Sequence, residues 1–300
     1  MSAESFGQAA VLRQAGTRGR VAAYVALTKP RIIELLLITT IPAMVLAADG
    51  WPGTWLVLAT LVGGTLSASG ANALNSYIDR DIDEVMRRTR RRPLARHEVA
   101  PANALIFGVG LGVAGFVWLL VTTNLLAAVI STAALLFYVF VYTIGLKRRT
   151  TQNIVIGGAA GAAPTIVGWA AVSGTVAVPA WVLFLIVFYW TPPHFWALAL
   201  RYKDDYEEAG VPMLPVVAGI ESTTRRMLLY TGLMVGVSLL LVPLGGMSWI
   251  YLAGAVGLGG WFLWDTWRVH RKPEDAMRLF TTSTIYLSAL FASVMLDVLL

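Results

Sequence analysis

The sequence lacks cysteine altogether and has few charged residues for its length. None of its 300 residues is a cysteine, which excludes disulfides, thiolate metal sites and cysteine nucleophiles. Charged residues make up 13% of the chain, about half the share found in soluble domains. Because 57% of the residues are apolar, the chain has ample surface to bury and disorder is excluded too. The composition therefore predicts an integral membrane protein made of several helices.

A secretory signal is not expected at the N-terminus. The first 20 residues contain neither a continuous apolar core nor a small-residue cleavage site. We expect residues 1–25 to form a flexible cytoplasmic tail and residues 26–300 to form a single transmembrane domain.

Long apolar runs follow this segment. A helix of about 20 apolar residues crosses a hydrocarbon core of about 30 Å. The runs predict an all-α polytopic membrane protein, a bundle of nine transmembrane helices. The predicted spans are residues 31–48, 52–76, 102–122, 124–145, 153–172, 178–200, 226–244, 248–267 and 280–299.

The 23 lysines and arginines lie on one side of this predicted bundle. All of them fall in the N-terminal segment or in the connections after the second, fourth, sixth and eighth spans. Cytoplasmic loops carry such an excess of basic residues, so we predict a cytoplasmic N-terminus. The net charge of +6 then reflects membrane topology, and no nucleic-acid partner is expected.

A first carboxylate cluster follows the second predicted span. Asn75, Asp79 and Asp83 recur every four residues, so on a helix their side chains share one face. Mg²⁺ is commonly held by a few carboxylates together with substrate phosphates. The arginine-rich segment 87–92 comes directly afterwards, and guanidinium groups bind phosphate. The pattern favours a diphosphate site, with a solvated ion-pair cluster at the lipid headgroups as the alternative interpretation.

A second carboxylate cluster follows the sixth predicted span. Asp204 and Glu208 share a helical face there, and Asp205 is offset from them. A second acidic face opposite the first would let more than one Mg²⁺ ion bridge a diphosphate. Lys147 and Arg148, after the fourth span, are either phosphate ligands or topogenic charges alone.

One histidine lies inside a predicted span. An ionisable residue in a membrane helix is costly enough to suggest a functional role. His194 either contacts a haem group, because imidazole is a common haem ligand, or bonds to a carbonyl freed by Pro192 and Pro193. His97 and His270 lie in polar loops and are expected to be solvated surface residues.

These segments resemble the UbiA-type intramembrane prenyltransferases. The resemblance extends from about Lys29 to the C-terminus and includes Asn75, Asp79 and Asp83 with the following segment 86–94. Three more segments are similar to the branch of that family that farnesylates protohaem, namely residues 142–153, 193–196 and 205–215.

The resemblance implies a UbiA-like, nine-helix enzyme. It would transfer farnesyl from farnesyl diphosphate to the vinyl group of haem B, with water addition, giving haem O and diphosphate in haem A/O biosynthesis. Mg²⁺ would be the cofactor, with haem B as substrate. By position, the catalytic residues would be Asn75, Asp79, Asp83, Arg88, Arg92, Lys147 and Asp205. The metal ligands would be Asn75, Asp79, Asp83, Asp204, Asp205 and Glu208. Substrate would be bound by His194, Arg148, Asn153, Tyr142 and Tyr206.

The second acidic segment departs from the family pattern. The wider family repeats Asp-xxx-Asp, whereas Ala209 stands four residues after Asp205. Only Asp204 and Glu208 keep acidic residues at that spacing, so the carboxylates that complete the second site are left open.

The same resemblance implies a location and partners. The protein would lie in the lipid bilayer of a bacterial-type cytoplasmic (inner) membrane, with its active site facing the cytoplasm. A haem A synthase or a terminal oxidase assembly would receive the product. The alternatives are a UbiA-type enzyme acting on an aromatic quinone precursor, and a non-enzymatic transporter. A transporter predicts ionisable residues near the bilayer midplane, whereas here they cluster at one face.

Overall fold

The computed structural model describes residues 17–300, except for the side chains of residues 17–18, 31–32 and 34–37; the first 16 residues of the predicted tail lie outside it. Helices and turns, with no strand, make up this described part of the chain. The helices are α1 Thr17–Thr28, α2 Pro30–Ala48, α3 Thr54–Ile78, α4 Arg80–Val85, α5 Pro101–Thr122, α6 Leu125–Leu136, α7 Asn153–Ser173, α8 Val178–Arg201, α9 Lys203–Glu208, α10 Leu214–Val217, α11 Gly219–Gly245, α12 Trp249–Arg271 and α13 Ala276–Leu299. A π-helix, Phe137–Leu146, continues α6, and a 3₁₀ turn, Pro273–Asp275, precedes α13.

Long helices form at each of the places where the sequence predicts a span. Among the residues that the structure describes fully, seven helices are long and apolar enough to cross a membrane: α3, α5, α6 with its continuation, α7, α8, α11 and α13 with its preceding turn. In α2 the fully described part, Ile38–Ala48, is apolar, and α12 ends in a charged turn. The all-helical membrane fold is confirmed, whereas the count of nine spans stays a prediction.

The long helices form a closed bundle. Each packs against its neighbour along the chain, and α13 returns to contact both α2 and α8. Helix α8 is enclosed by α7, α11 and α13, and its Trp190 and Trp196 are almost fully buried. Prolines lie inside several helices, including Pro192 and Pro193 in α8, as membrane helices tolerate.

Glycines bring α3 and α5 into backbone contact. A Cβ atom at position 70 would lie 2.7 Å from the carbonyl oxygen of Gly108. Such small-residue contacts let membrane helices pack closely without a hydrophobic driving force. These contacts hold α3, which carries the first carboxylate cluster, directly against α5.

Helix α6 widens into a π-helix before it ends, a feature that the sequence pattern does not indicate. The Thr143 hydroxyl donates to the Tyr138 carbonyl, five residues earlier, at 2.8 Å. The Lys147 amide likewise donates to the Tyr142 carbonyl at 2.8 Å. π-Helical turns are rare and are frequent at functional sites. This one turns Thr143 and Lys147 towards α3.

The short helix α1 attaches the N-terminal segment to the bundle. Its Ala23 and Leu27 are buried in a cluster with Ala73 of α3 and with Leu94 and Val99, which follow the arginine-rich segment 87–92. The predicted domain boundary at residue 25 falls inside this helix. At its end, Asn72 donates from Nδ2 to the Thr28 carbonyl at 2.9 Å, which fixes the backbone next to Lys29.

Candidate active site

Asn75, Asp79 and Asp83 form a buried column at one end of the bundle. Although α3 ends at Ile78, the Asp79 amide donates to the Asn75 carbonyl and the Asp83 amide to the Asp79 carbonyl, both at 2.9 Å. These bonds keep the three side chains on one face, and Asn75 Nδ2 donates to Asp79 Oδ2 at 2.7 Å. None of the three is more than 3% exposed.

Both carboxylates of the column are paired with cations from distant segments. Lys147, at the end of the π-helix, donates to Asp79 Oδ2. Arg92, in the arginine-rich loop, donates from Nη1 to Asp83 Oδ1 at 2.8 Å and to Oδ2 at 2.7 Å. Burying a charge is costly unless it is paired, so these contacts account for two buried anions side by side.

Lys29 is a site residue that the sequence did not reveal, because it looked like one topogenic charge among many. Its Nζ donates to Asn75 Oδ1 at 2.6 Å. Its backbone has φ 52°, a left-handed conformation that is uncommon for residues other than glycine and is often found at functional sites. Burial, and then the nearby charge of Arg92, hold the pKa of Lys29 well below its ordinary value.

One oxygen of the column has no hydrogen-bond partner in the described chain. Asp79 Oδ1 is buried and has no hydrogen bond with any residue of the described chain; the Arg148 Nη2 atom lies 3.7 Å away. An unsatisfied buried oxygen is unusual in a native structure, and carboxylate oxygens are what Mg²⁺ prefers. The column therefore fits a hard divalent cation.

No complete protein cage for a metal lies among the side chains that the structure describes. In that part of the chain, no group of three or more histidine, cysteine, aspartate or glutamate side chains is arranged to hold an ion. This agrees with Mg²⁺ chemistry, in which one or two carboxylates share the ion with substrate phosphates and water.

Asp205 is the residue of the second carboxylate cluster that contacts the arginine-rich segment. Asp205 is buried, and its Oδ2 accepts from the backbone amide of Arg88 at 3.2 Å, while Arg87 Nε lies 4.0 Å from its Oδ1. Asp204 and Glu208 are exposed on the other side of α9. The structure thus joins Asp205, but not Asp204 or Glu208, to the arginine-rich loop; their roles as metal ligands stay predictions.

Two further predicted residues lie at this junction. The Arg88 guanidinium makes a long hydrogen bond of 3.5 Å with the Tyr206 hydroxyl and sits 5.8 Å from the centre of the Tyr202 ring. Tyr206 itself is buried. Arg88 therefore links the arginine-rich segment to α9.

Arg148 lies at the outer edge of the column. Its Nη1 and Nη2 atoms donate to the two carboxylate oxygens of Asp81, each at 2.7 Å. This double hydrogen bond lowers the pKa of Asp81 and raises the pKa of Arg148. Asp81, which the sequence reading did not select, keeps the guanidinium close to Asp79.

Asn153 and Tyr142 line the approach from α7 and the π-helix. Asn153 donates from Nδ2 to the Lys147 carbonyl at 3.2 Å, and its buried Oδ1 has no partner in the described chain. The Tyr142 ring stacks on Tyr138 with centroids 5.3 Å apart. Asn153 thus supports the backbone of Lys147.

His194 lies deeper, inside the bundle and away from this column. Its ring is stacked between Trp190 and Phe280, with centroids 4.2 and 4.3 Å away. Its Nδ1 atom lies 2.7 Å from the Ser283 hydroxyl of α13, so its partner is not a carbonyl freed by the prolines.

The other two histidines differ from each other. His97 is mostly exposed, as expected, and its Nε2 lies 3.9 Å from Glu84. His270 is only partly exposed, because its Nδ1 bonds to the Thr224 hydroxyl at 2.9 Å. It joins α12 to α11.

Together, the apolar helices and the buried polar column at one end define an integral membrane protein with a buried, charge-paired polar site at one end of its bundle. Comparison with known proteins identifies the class further. The model of the UbiA prenyltransferase family matches residues 36–290. The chain therefore belongs to the UbiA prenyltransferase family and is a prenyltransferase.

Relatives and solved structures agree with this assignment. A protoheme IX farnesyltransferase of Clavibacter michiganensis subsp. michiganensis is 54% identical over 290 residues, 95% of each chain. A digeranylgeranylglyceryl phosphate synthase structure has a TM-score of 0.76 at 19% identity, covering 93% of this chain and 98% of that one. A UbiA homologue from Archaeoglobus fulgidus, bound to DMAPP and Mg²⁺, has a TM-score of 0.63 at 13% identity, covering 90% and 98%.

Proposed function

We propose that the protein transfers the farnesyl group of farnesyl diphosphate to a vinyl group of haem B, with water addition, giving haem O and diphosphate. The observation that carries the proposal is the buried column of Asn75, Asp79 and Asp83, surrounded by cations at one end of a membrane bundle. The acceptor is inferred from relatives such as the Clavibacter protein, whose name specifies protohaem.

Asp79 and Asp83, with Asn75, would hold Mg²⁺ together with the diphosphate oxygens. Mg²⁺ held there would supply positive charge against the negative charge that grows on the leaving diphosphate. Two observations support this role: the unpartnered Oδ1 of Asp79, and the Mg²⁺ bound with a prenyl diphosphate in the Archaeoglobus homologue.

The basic residues would change partners when the substrate binds. In the free protein, Lys147 and Arg92 neutralise Asp79 and Asp83. With the carboxylates holding Mg²⁺, Lys147 and Arg92 would be free to bind the diphosphate, together with Lys29 and Arg88. Charge-assisted bonds from guanidinium groups to phosphate are among the strongest in proteins. The ion pairs with Asp79 and Asp83 would thus be replaced by ion pairs with the diphosphate, and each buried charge would keep a partner.

The transfer breaks one carbon–oxygen bond of farnesyl diphosphate and forms one carbon–carbon bond to the haem vinyl group. The bond between C1 of farnesyl and the diphosphate oxygen breaks, and the electron pair leaves with diphosphate. The π electrons of the haem vinyl group form the new carbon–carbon bond to C1. Water then adds to the resulting cation and loses a proton. The buried aromatic residues around the bundle interior, including Trp190, would keep bulk water from the allylic cation.

The side of the membrane and the partners belong to the same proposal. We place the column at the cytoplasmic side of a bacterial inner membrane, because the predicted cytoplasmic loops hold all the basic residues. A haem A synthase or a terminal oxidase assembly is the predicted recipient of the product.

An acceptor competition tests the assignment. Purified protein is incubated with Mg²⁺, deuterated farnesyl diphosphate, haem B and a hydroxylated benzoate as the aromatic quinone precursor. We expect deuterium in the haem fraction only, detected by mass spectrometry. Deuterium in the benzoate fraction alone would contradict the haem assignment and favour the aromatic-ring alternative.

A further inference from the structure

The two carboxylate oxygens of Asp79 differ in their surroundings. Oδ2 accepts from Asn75 Nδ2 at 2.7 Å and from the Lys147 ammonium, whereas the buried Oδ1 has no hydrogen bond in the described chain. A donor is nevertheless close, because the Nη2 atom of Arg148 lies 3.7 Å from Oδ1. Hydrogen bonds from nitrogen to oxygen need about 2.7–3.2 Å. A short movement of the guanidinium would satisfy Oδ1, so Arg148 must be held back by other contacts.

The hydrogens of the Arg148 guanidinium are used elsewhere. Each terminal nitrogen of a guanidinium carries two of its five hydrogens. Nη2 donates to Asp81 Oδ1 at 2.7 Å and to the Ile78 carbonyl at 3.2 Å. Nη1 donates to Asp81 Oδ2, also at 2.7 Å. Both hydrogens of Nη2 are therefore engaged, and the guanidinium would have to leave one of these acceptors to bind Asp79.

Asp81 holds Arg148 from outside the column. It follows Asp79 by two residues, which on a helix places the two side chains about 200° apart. The Asp79 side chain is fully buried, whereas the Asp81 side chain is mostly exposed. Paired hydrogen bonds between a guanidinium and a carboxylate are stronger and more specific than single ones. The outer carboxylate thus competes effectively with the inner one for Arg148.

We propose that Asp81 is a positioning residue, which holds Arg148 near Asp79 but beyond hydrogen-bond distance and so keeps Asp79 Oδ1 open for Mg²⁺. The inference rests on the proposed function, because it takes Asp79 as a metal ligand. Without Asp81, the guanidinium would turn to Oδ1 and form a buried ion pair that the metal would have to displace. Asp81 therefore raises the affinity of the site for Mg²⁺ without contacting the ion.

Thermal unfolding measures Mg²⁺ binding without any turnover. Detergent-purified full-length protein is titrated with Mg²⁺ at a fixed concentration of inorganic diphosphate, and the melting temperature is followed. Asp81→Asn cannot form the double charge-assisted bond. It should need on the order of 10-fold more Mg²⁺ for the half-maximal rise, as is typical when a group that orients a metal site is removed. Asp81→Glu, which keeps the carboxylate, should restore most of the affinity. A wild-type Mg²⁺ requirement in Asp81→Asn would overturn the proposal.

Arg148→Gln separates this role from a simple charge effect. The loss of any negative charge near the column weakens the attraction of the site for a cation, whatever the position of Arg148. If Asp81 acts through Arg148, Asp81→Asn should change the Mg²⁺ requirement little in a protein that already carries Arg148→Gln. An equal loss of affinity with and without Arg148 would overturn the proposal, because a charge effect through space does not depend on that side chain.

Glu84→Gln is the matched control for the lost charge. Glu84 belongs to the same short helix, α4, and its charged neighbour is His97, at 3.9 Å, rather than an arginine. We expect only a small change in its Mg²⁺ requirement, and a loss as large as that of Asp81→Asn would contradict the role of the Arg148 contact. Failure of the proposed function is distinguishable. Transfer to an acceptor other than haem would leave these titrations unchanged, whereas a wild-type melting temperature that does not respond to Mg²⁺ would refute the metal site itself.

Discussion

At the residue scale, the active-site column is built from buried carboxylates that are each paired with a basic side chain. Each carboxylate is within a few per cent of full burial and has a basic partner from another part of the chain. Removing one partner of such a pair leaves the other charge unpaired, which costs several kcal/mol in buried pairs (about 3–5 kcal/mol). Substitutions should therefore be conservative in shape, so that activity is measured on folded protein.

Asp79→Asn should reduce transfer by at least about 100-fold, because the amide cannot replace the carboxylate oxygen that faces the metal. The measurement is diphosphate release from farnesyl diphosphate in the presence of haem B and Mg²⁺. Glu84→Gln, a change at a half-exposed carboxylate in the same segment, is the control and should keep wild-type activity. Wild-type turnover in the Asp79 variant would contradict the metal assignment.

Asp205→Asn should raise the KM for farnesyl diphosphate more than it lowers kcat. Asp205 accepts from the Arg88 amide, so it shapes the loop that carries phosphate-binding guanidinium groups. Steady-state kinetics at saturating Mg²⁺ measures the effect, and the exposed Glu207→Gln is the control. If instead the Mg²⁺ requirement rises with KM unchanged, Asp205 acts as a metal ligand.

The four-residue spacing predicts that Asn75, Asp79 and Asp83 share one face, but the sequence does not predict which basic side chains contact them. A spacing of four residues survives the end of α3, because hydrogen bonds continue from Asn75 to Asp83. Lys29 gives no comparable signal, since its approach to Asn75 depends on how α1 and α3 pack. Contacts across 46 residues are a property of tertiary structure and not of local spacing.

At the scale of the element, the π-helix makes the largest difference between the sequence pattern and the structure. The length of the apolar run predicts a membrane helix over 124–145 but does not indicate that its last turns are π-helical. The widened turns place Thr143 so that its hydroxyl accepts from Asn75 Nδ2 at 3.1 Å while donating to Tyr138. This bond orients the Asn75 amide, with Oδ1 towards Lys29.

Thr143→Val should therefore impair the site without unfolding the protein. The change keeps the branched shape but removes the hydroxyl, leaving the Asn75 amide free to rotate. We expect about 10-fold weaker Mg²⁺ activation, with a loss of stability on the order of 1 kcal/mol for the hydrogen bond. Mg²⁺ titration of activity and thermal unfolding in detergent measure the two effects. Mg²⁺ activation equal to wild type would contradict the positioning role.

Helices α12 and α13 are joined at the opposite end by a capping carboxylate. Asp297 accepts from the Ser248 amide at 2.7 Å, from the Tyr251 amide at 2.9 Å and from the Ser248 hydroxyl. A negative charge at a helix N-terminus is stabilising. Asp297→Ala should lower the free energy of unfolding by about 1–2 kcal/mol, as other cap removals do, and leave transfer activity intact. An unchanged melting temperature would contradict the capping role.

At the scale of the whole molecule, the composition anticipates the all-helical membrane fold correctly. The orientation predicted from the charge distribution stays a prediction. Apolar runs of sufficient length must bury their backbone polar groups as helices, so the helices appear where the runs are. The closed bundle, in which α13 meets α2 and α8, could not be anticipated. It depends on side-chain packing between helices far apart in the chain, and it is what brings Ser283 to His194.

The absence of cysteine makes the topology directly testable. Single cysteines introduced by Arg149→Cys and Thr175→Cys lie at exposed positions at the two ends of α7. If the basic loops are cytoplasmic, a membrane-impermeant thiol reagent applied to intact cells should label position 175 and not position 149. Labelling at 149 alone would reverse the orientation, and labelling at both or neither would contradict a span between them.

Farnesyl transfer to haem with water capture is tested most directly by mass spectrometry of the haem after reaction in H₂¹⁸O. Purified protein, haem B, farnesyl diphosphate and Mg²⁺ should yield a haem that has gained one farnesyl group and one ¹⁸O atom. The same mixture with Asp79→Asn protein should leave haem B unchanged. Unmodified haem with the wild-type protein, or farnesol as the only farnesyl product, would contradict the proposed reaction.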